Sequence, residues 1–273
     1  MKLLFLGDIM GSTGREAVLR QVPIWRREWA LDVVIVNGEN AVNGKGINRE
    51  TVQKLLAAGV DVITTGNHAF DVKGEISCFE DFPTLLRPLN FLPRTPGRGS
   101  CLFTTAHGQK ILVVNPIAQL FMPQMVNSPF YAVDDLLRQY TLGGNVSTIF
   151  LDFHTETTAE VQALAWHLDG RVSGVIGTHT HAPTADTMIL PGGTAFQSDA
   201  GMCGDYHSVL GVMHPRAIET FTNNYIADRK MEPAKGPATL CGVYLEIHDT
   251  TGKCTRAEPV RHGPHLINTV PFA

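Results

Sequence analysis

Asp8, Glu39, Asn40, Asn67, His68, His154, His179 and His181 are oxygen and nitrogen donors of the kinds that bind metal ions. Carboxylates, amides and imidazoles without a thiolate form a hard-to-borderline set. Such a set suits manganese, iron or zinc better than copper(I) or an iron–sulfur cluster. A carboxylate such as Glu39 could bridge two ions. Two metals held roughly 3.5–4 Å apart can activate a hydroxide and stabilise an in-line displacement. Each residue alone also has a plainer explanation. Asp8 would usually be a turn or helix cap, Asn40 and Asn67 are common turn residues, and His154 could be a satisfied buried histidine. His179-Thr180-His181 is more specific, because alternate residues of an extended segment point the same way.

Position raises the set above its members. Asp8 follows the apolar run 2–6, Glu39 and Asn40 follow 32–36, Asn67 and His68 follow 61–65, His154 closes 149–153, and His179 and His181 follow 175–178. Continuous apolar runs suit parallel strands covered on both faces. The amphipathic stretches between them complete a βαβαβ rhythm. One stretch runs from about Gly14 to Trp29, with Pro23 expected to kink or interrupt it. A second runs from an Asn48 N-cap to Ala58 with Gly59 as its stop, and a third covers 158–168. Further strands are predicted over 110–115, 147–153 and 172–176. In open α/β sheets ligands gather at the C-terminal strand edge, so separate strand ends can converge on one site. Gly7, Gly38, Gly66 and Gly177, beside the donors, fit sharp turns and close backbone approach.

The last third changes character. Runs 187–190 and 194–197 flank Pro191-Gly192-Gly193, and runs 239–247 and 253–260 flank Asp249-Thr250-Thr251-Gly252. Both read as hairpins, so this part is expected to be antiparallel. Residues 83–99 carry Pro83, Pro88, Pro93 and Pro96 and predict no regular helix, while 229–237 reads as a surface loop. No repeat or low-complexity segment divides the chain. It reads as one α/β domain, 1–273, with two packed mixed sheets flanked by helices.

Of the 273 residues, 44% are hydrophobic and 18% charged, which excludes general disorder. Lys plus Arg is 22 and Asp plus Glu 26, a net charge of −4. That balance, without a basic run, argues against stable duplex nucleic-acid binding. A small phosphate ester stays possible, because a local metal charge outweighs a weak global field. Cys78, Cys101, Cys203, Cys241 and Cys254 are odd in number and lack a CxxC pair. They argue against a disulfide framework or a cysteine-based zinc site and for a reducing compartment. The apolar run before Asp8 is too short for a signal-peptide core, and no stretch approaches the about 18 apolar residues of a membrane span. A soluble, cytoplasmic protein is expected.

The segments Gly7-Asp8-Ile9-Met10, Asn37-Gly38-Glu39-Asn40, Gly66-Asn67-His68, Asp152-Phe153-His154 and Gly177-Thr178-His179-Thr180-His181 resemble the calcineurin-like metallophosphoesterase superfamily. Its signature is Asp-x-His, Gly-Asp, Gly-Asn-His, a lone His and Gly-His-x-His, and the resemblance spans residues 2–181. Met10 stands where the signature has histidine, and Glu39 where it has aspartate. Both departures, with Asp199-Ala200-Gly201-Met202-Cys203-Gly204, look like the YmdB-type subgroup. Met10 is no ordinary ligand for a hard ion, and Asn40 could supply the missing contact through its amide oxygen. The resemblance implies a four-layer α-β-β-α sandwich and a dinuclear site. Asp8, Glu39, Asn40 and His181 would hold one ion, and Glu39, Asn67, His154 and His179 the other. His68 matches the histidine that contacts the phosphate or protonates the leaving oxygen. The resemblance also implies hydrolysis of 2′,3′-cyclic nucleotides and other phosphodiesters, manganese or iron as the metal, and a homo-oligomer.

The leading expectation is a metal-dependent phosphodiesterase with His68 as general acid, because an alkoxide leaving group needs a proton near neutral pH. A purely positional contact to phosphate is the alternative for His68. Rival readings are a dinuclear hydrolase of phosphomonoesters, sulfate esters or amides, and a regulatory or scaffolding protein with a mainly structural metal site, which Met10 favours. His207 reads as a surface-loop residue, Asp199 equally well as a helix cap, and Cys203 as no nucleophile, for want of a neighbouring base. Tyr206 and Phe70 are candidates for stacking on a base.

Overall fold

Side chains alternate between faces along a strand, and that alternation sorts the apolar residues into separate cores. The computed structural model describes residues 1–225 and 231–272, so part of the loop expected over 229–237 lies outside the described residues. In chain order the elements are β1 (Lys2–Leu6), β2 (Asp8–Ile9), α1 (Gly11–Glu28), β3 (Val33–Asn37), α2 (Arg49–Ala57), β4 (Val62–Thr64), α3 (Cys78–Asp81), β5 (Ser100–Thr104), β6 (Lys110–Val114) and α4 (Pro129–Leu137). They continue with β7 (Thr148–His154), α5 (Thr158–Leu168), β8 (Gly174–Thr178), β9 (Met188–Ile189), β10 (Ala195–Gln197), β11 (Met202–Cys203), α6 (His214–Thr222), β12 (Leu240–Ile247) and β13 (Cys254–His262).

One mixed sheet has the order β13-β12-β1-β3-β4 and the other β5-β6-β7-β8-β10-β9, while β2 and β11 form a short parallel pair. Leu3 and Phe5 of β1 share a core with Ile35 of β3, Val113 of β6 and Phe150 of β7. Leu4 and Leu6 turn the other way, onto Val18 and Val22 of α1 and Val52 and Leu55 of α2. In the other sheet, Leu112 and Leu151 face Val133 of α4 and Val161 and Leu164 of α5. The middle cluster therefore draws on both sheets, and each outer cluster on one sheet and its helices.

The predicted central strands and helices form, with small changes of boundary. Asn48 caps α2 by accepting from the Thr51 amide. Helix α1 starts at Gly11, earlier than Gly14, and carries Pro23 inside it without ending there. The last third is only partly antiparallel. Both hairpins form, but β10 joins β8 in parallel and β11 joins β2 in parallel. Short strands separated by a long site loop return beside earlier parallel strands, a pairing that a local turn signal does not encode. The sequence reading also missed β5, α4 and α6, whose buried faces are thin: Ala217 is the buried residue of α6.

The segment 198–203 lies between the ends of the two sheets. The Ala200 amide donates to the Gly177 carbonyl, and Met202 pairs with Asp8. This passage needs glycine on both sides. A Cβ on Gly177 would stand 1.8 Å from the Ser198 carbonyl oxygen, and one on Gly7 would stand 1.9 Å from that of Gly201. Both obstacles are backbone and cannot rotate away. Gly177→Ala should therefore cost about 3 kcal/mol or more, the upper range for overpacking. Gly108→Ala, which meets no atom within 4 Å and has φ +81°, should cost only about 1–2 kcal/mol of backbone strain. Urea denaturation of the two variants checks this, and equal losses would remove the close-approach argument.

Candidate metal centre

The strand ends deliver the donors to one place. Asp8, Glu39 and His154 are essentially inaccessible to solvent, and Asn40 and Asn67 are buried. Nε2 of His154 lies 2.9 Å from Oδ1 of Asn67, 3.1 Å from Nδ1 of His179 and 3.6 Å from Oε1 of Glu39. Oδ1 of Asp8 is 4.0 Å from Nδ1 of His154. Nε2 of His181 lies 3.2 Å from Oδ1 of Asn40. Two ligands each about 2.1 Å from a metal, at roughly 90–109° to one another, sit about 3.0–3.4 Å apart. Several of these separations match the edges of such a coordination polyhedron. Among the described residues, His, Cys, Asp and Glu side chains alone do not form a cage of three or more. The convergent set includes the amide oxygens of Asn67 and Asn40.

Backbone amides hold the carboxylates. Oε1 of Glu39 accepts from the His68 amide at 2.6 Å, and Oε2 accepts from the Gly66 amide. Oδ2 of Asp8 accepts from the His179 amide at 3.1 Å, whereas its Oδ1 is buried with no hydrogen-bond partner. A Cβ on Gly66 would overlap the His154 ring, so glycine there gives the imidazole room.

The His-x-His segment is not extended. His179 has φ 109° and His181 φ 64°, and the two imidazoles go to different partners, His154 and Asn40. The chain has left β8 and turns sharply, which corrects the expectation of alternate residues on one face. Asp199 holds that turn: its carboxylate accepts from the Thr180 amide at 2.9 Å and the Gly201 amide at 2.7 Å. Sequence reasoning left Asp199 open as a cap, although it also follows a strand end.

Three further carboxylates, to which residue type and spacing assign no role, support the donors. Asp152, buried in β7, accepts from Asn37 Nδ2 at 2.8 Å, from Thr178 Oγ1 at 2.7 Å and from Thr64 Oγ1. Its signal was a charge inside an apolar run. Thr178 Oγ1 in turn accepts from Nδ1 of His154 at 3.1 Å, which leaves Nε2 as the free lone pair. Glu156 lies 2.9 Å from Nε2 of His179, and Asp71 lies 2.7 Å from Nδ1 of His68. Both sit in loops, where their types carried no signal.

Burial sets the electrostatics. It pushes the carboxyl groups of Asp8, Asp152 and Asp199 from 3.8 up to about 7, with the charge of Asp8 adding to the rise at the other two. It also pushes Glu39 well up. The same burial lowers His68, His179 and His181, and takes His154 well below the usual histidine range.

A cavity of about 270 Å³ is lined by Glu39, Asn40, His68, Glu156, His179 and His181. A larger one of about 640 Å³ shares Asn40, His68, His181 and Leu210 with it. Met10 does not join the donors. It is 4% exposed and packs against Gly44, Gly204 and Gly211. Phe70 packs edge-on against Phe79, the Tyr206 hydroxyl is bonded to the His181 and Met202 carbonyls, and neither residue lines the two cavities. His207 is exposed and lies against the His265 ring. Cys203 is fully buried, with its thiol pushed well up by burial.

The profile of the YmdB-like protein family matches residues 4–260. A 2′,3′-cyclic-nucleotide 2′-phosphodiesterase of Bacillus subtilis is 40% identical over 260 residues, covering 95% of this chain and 96% of that protein. A hypothetical protein of Thermus thermophilus superposes with a TM-score of 0.88 at 36% identity, covering 96% of this chain and 99% of the other. A crystal structure described as a novel phosphatase of Mycoplasma pneumoniae does so with a TM-score of 0.88 at 33% identity, covering 96% and 93%. With the family match running through all five donor segments, the chain belongs to the YmdB-like protein family.

Proposed function

We propose that this chain is a metal-dependent phosphodiesterase of small phosphate esters, with 2′,3′-cyclic nucleotides such as 2′,3′-cyclic AMP as its preferred class. The carrying observation is the buried, unpartnered Oδ1 of Asp8 beside His154. A carboxylate oxygen left without a partner among lone-pair donors suits a cation, because burying an unpaired charge is otherwise costly. The names of the Bacillus and Mycoplasma relatives support phosphoesterase chemistry, and the former supports the cyclic substrate. The three stacked cores support a four-layer α-β-β-α sandwich in one domain. Free cysteines favour a reducing cytoplasm. Among the described residues no helix is long and apolar enough to cross a membrane. The resemblance to the YmdB-type subgroup supports a homo-oligomer.

Asp8, Glu39, Asn40 and His181 would hold one ion, and Glu39, Asn67, His154 and His179 the other, with manganese or iron favoured by the oxygen-rich donors. When bound, the ions supply charge that neutralises phosphate oxygens and acidifies a water for in-line attack. The chain's own groups do the rest. The Asp152–Thr178 pair fixes the His154 ring, and Glu156 keeps Nδ1 of His179 inward. Asp71 engages Nδ1 of His68, leaving Nε2 to give a proton to the leaving oxygen.

Three outcomes test the reading. Chelated protein should lose turnover of 2′,3′-cyclic AMP and bis-aryl phosphate and regain it with Mn²⁺. Preference for an aryl monophosphate would mark a monoesterase, and loss of stability without turnover of any ester would mark a structural metal. His68→Ala should slow linear diesters by about 10²–10⁴ and strained cyclic diesters less, since these need less help to the leaving group. Equal losses would leave His68 only a positional role. In the chelated protein, Asp8, Asp152 and Asp199 hold protons up to about 7 when folded and release them near 3.8 when unfolded. The folded state then binds more protons between these values, so this contribution to stability falls as pH rises from about 4 to 7. Metal needs the deprotonated carboxylates. The Mn²⁺-induced gain in Tm should therefore be larger at pH 8 than at pH 5.5, and a gain independent of pH would contradict it.

A further inference from the structure

The cavity of about 640 Å³ beside the metal centre falls within the roughly 300–1,000 Å³ of small-molecule sites, and its walls have two characters. Val42, Val72, Val212 and Pro233 are apolar, while Lys45 and Lys73 bring two cations. Asp71 is the carboxylate of that wall, and it is engaged by His68. Among the described residues neither lysine ammonium has a hydrogen-bond or carboxylate partner. In a chain of net charge −4, two free cations on one cavity are a specific feature.

The turns that carry these lysines are tied to the donor segments. Lys45 follows Glu39 and Asn40 in a turn held at several points. The Gly46 amide donates to the Glu39 carbonyl at 2.6 Å, and the Lys45 amide to that of Val42 at 3.0 Å. The Nδ2 of Asn40 donates to the Gly44 carbonyl at 3.0 Å. Gly46, at φ +73°, leaves no room for a side chain, since a Cβ would lie 2.9 Å from Val72 and 3.0 Å from the His68 carbonyl. That contact brings the Lys45 turn against the segment carrying Lys73. The Asp71 amide donates to the His68 carbonyl at 3.0 Å, closing the turn that leads from His68 to Lys73. Each donor turn thus ends in a lysine on the same cavity.

We propose that Lys45 and Lys73 form a second anion subsite, so that the preferred substrate is a nucleotide carrying a 5′-phosphate in addition to the scissile cyclic phosphate. The apolar wall takes the nucleoside, and the lysines take the second phosphate through charge-assisted hydrogen bonds. This rests on the phosphodiesterase reading above. Metal-reconstituted protein is compared on 2′,3′-cyclic AMP with and without a 5′-phosphate. The wild type should favour the 5′-phosphorylated compound by about tenfold in kcat/KM. The preference should shrink at high salt, because rim charges are screened. In Lys45→Ala/Lys73→Ala the ratio of the two kcat/KM values should fall to about one, with the thermal midpoint checking that the variant folds. Lys45→Arg/Lys73→Arg should keep the preference. Equal kcat/KM values in the wild type, or a preference that survives the double alanine variant, would overturn the subsite. Turnover of neither compound would sink the phosphodiesterase reading instead.

Discussion

Negative charge buried at one sheet edge is the constraint on which this structure depends. Asp8, Glu39, Asp152 and Asp199 are each at most 1% exposed, and burying ionised groups without compensation costs far more than a fold of this size can lose. The chain meets the demand in two ways. Asp152 and Asp199 are satisfied by amides and hydroxyls from Asn37, Thr178, Thr180 and Gly201. Asp8 and Glu39 accept backbone amides, yet Oδ1 of Asp8 stays unpartnered. The proposed cations are the remaining compensation, and the raised carboxyl pKa values express their need.

The same constraint explains why the surroundings are so heavily hydrogen-bonded. In the proposed centre an imidazole must present one particular nitrogen, and each ring is held from behind: His154 by Thr178, His179 by Glu156 and His181 by the Leu210 carbonyl. The segment 198–203 locks the two sheets together at the site through pairing with β2 and the close approach to Gly7 and Gly177. The geometry of the centre is thus a property of both sheets.

Met10 illustrates how one departure from a pattern is absorbed. Its side chain fills a space bounded by Gly44, Gly204 and Gly211, so the position has become a packing contact between loops. Asn40, paired with Met10 through a backbone bridge, faces His181 with its oxygen and holds Gly44 with its nitrogen. One amide therefore serves the donor set and the turn that borders the larger cavity.

Apolar periodicity and residue type are local properties, so the strand runs, the helices after them and the donors at strand ends could be read from the chain alone. Asp8, Glu39, Asn40, Asn67, His154, His179 and His181 were legible for that reason, as was His68 beside them. The partners that these donors meet were settled only by packing. The positive φ of His179 and His181 sends neighbouring imidazoles apart, and the parallel return of β10 and β11 brings Asp199 under the site. Glu156 and Asp71 gained their roles the same way, since a loop carboxylate has no periodicity and its partner is chosen only when distant strands pack.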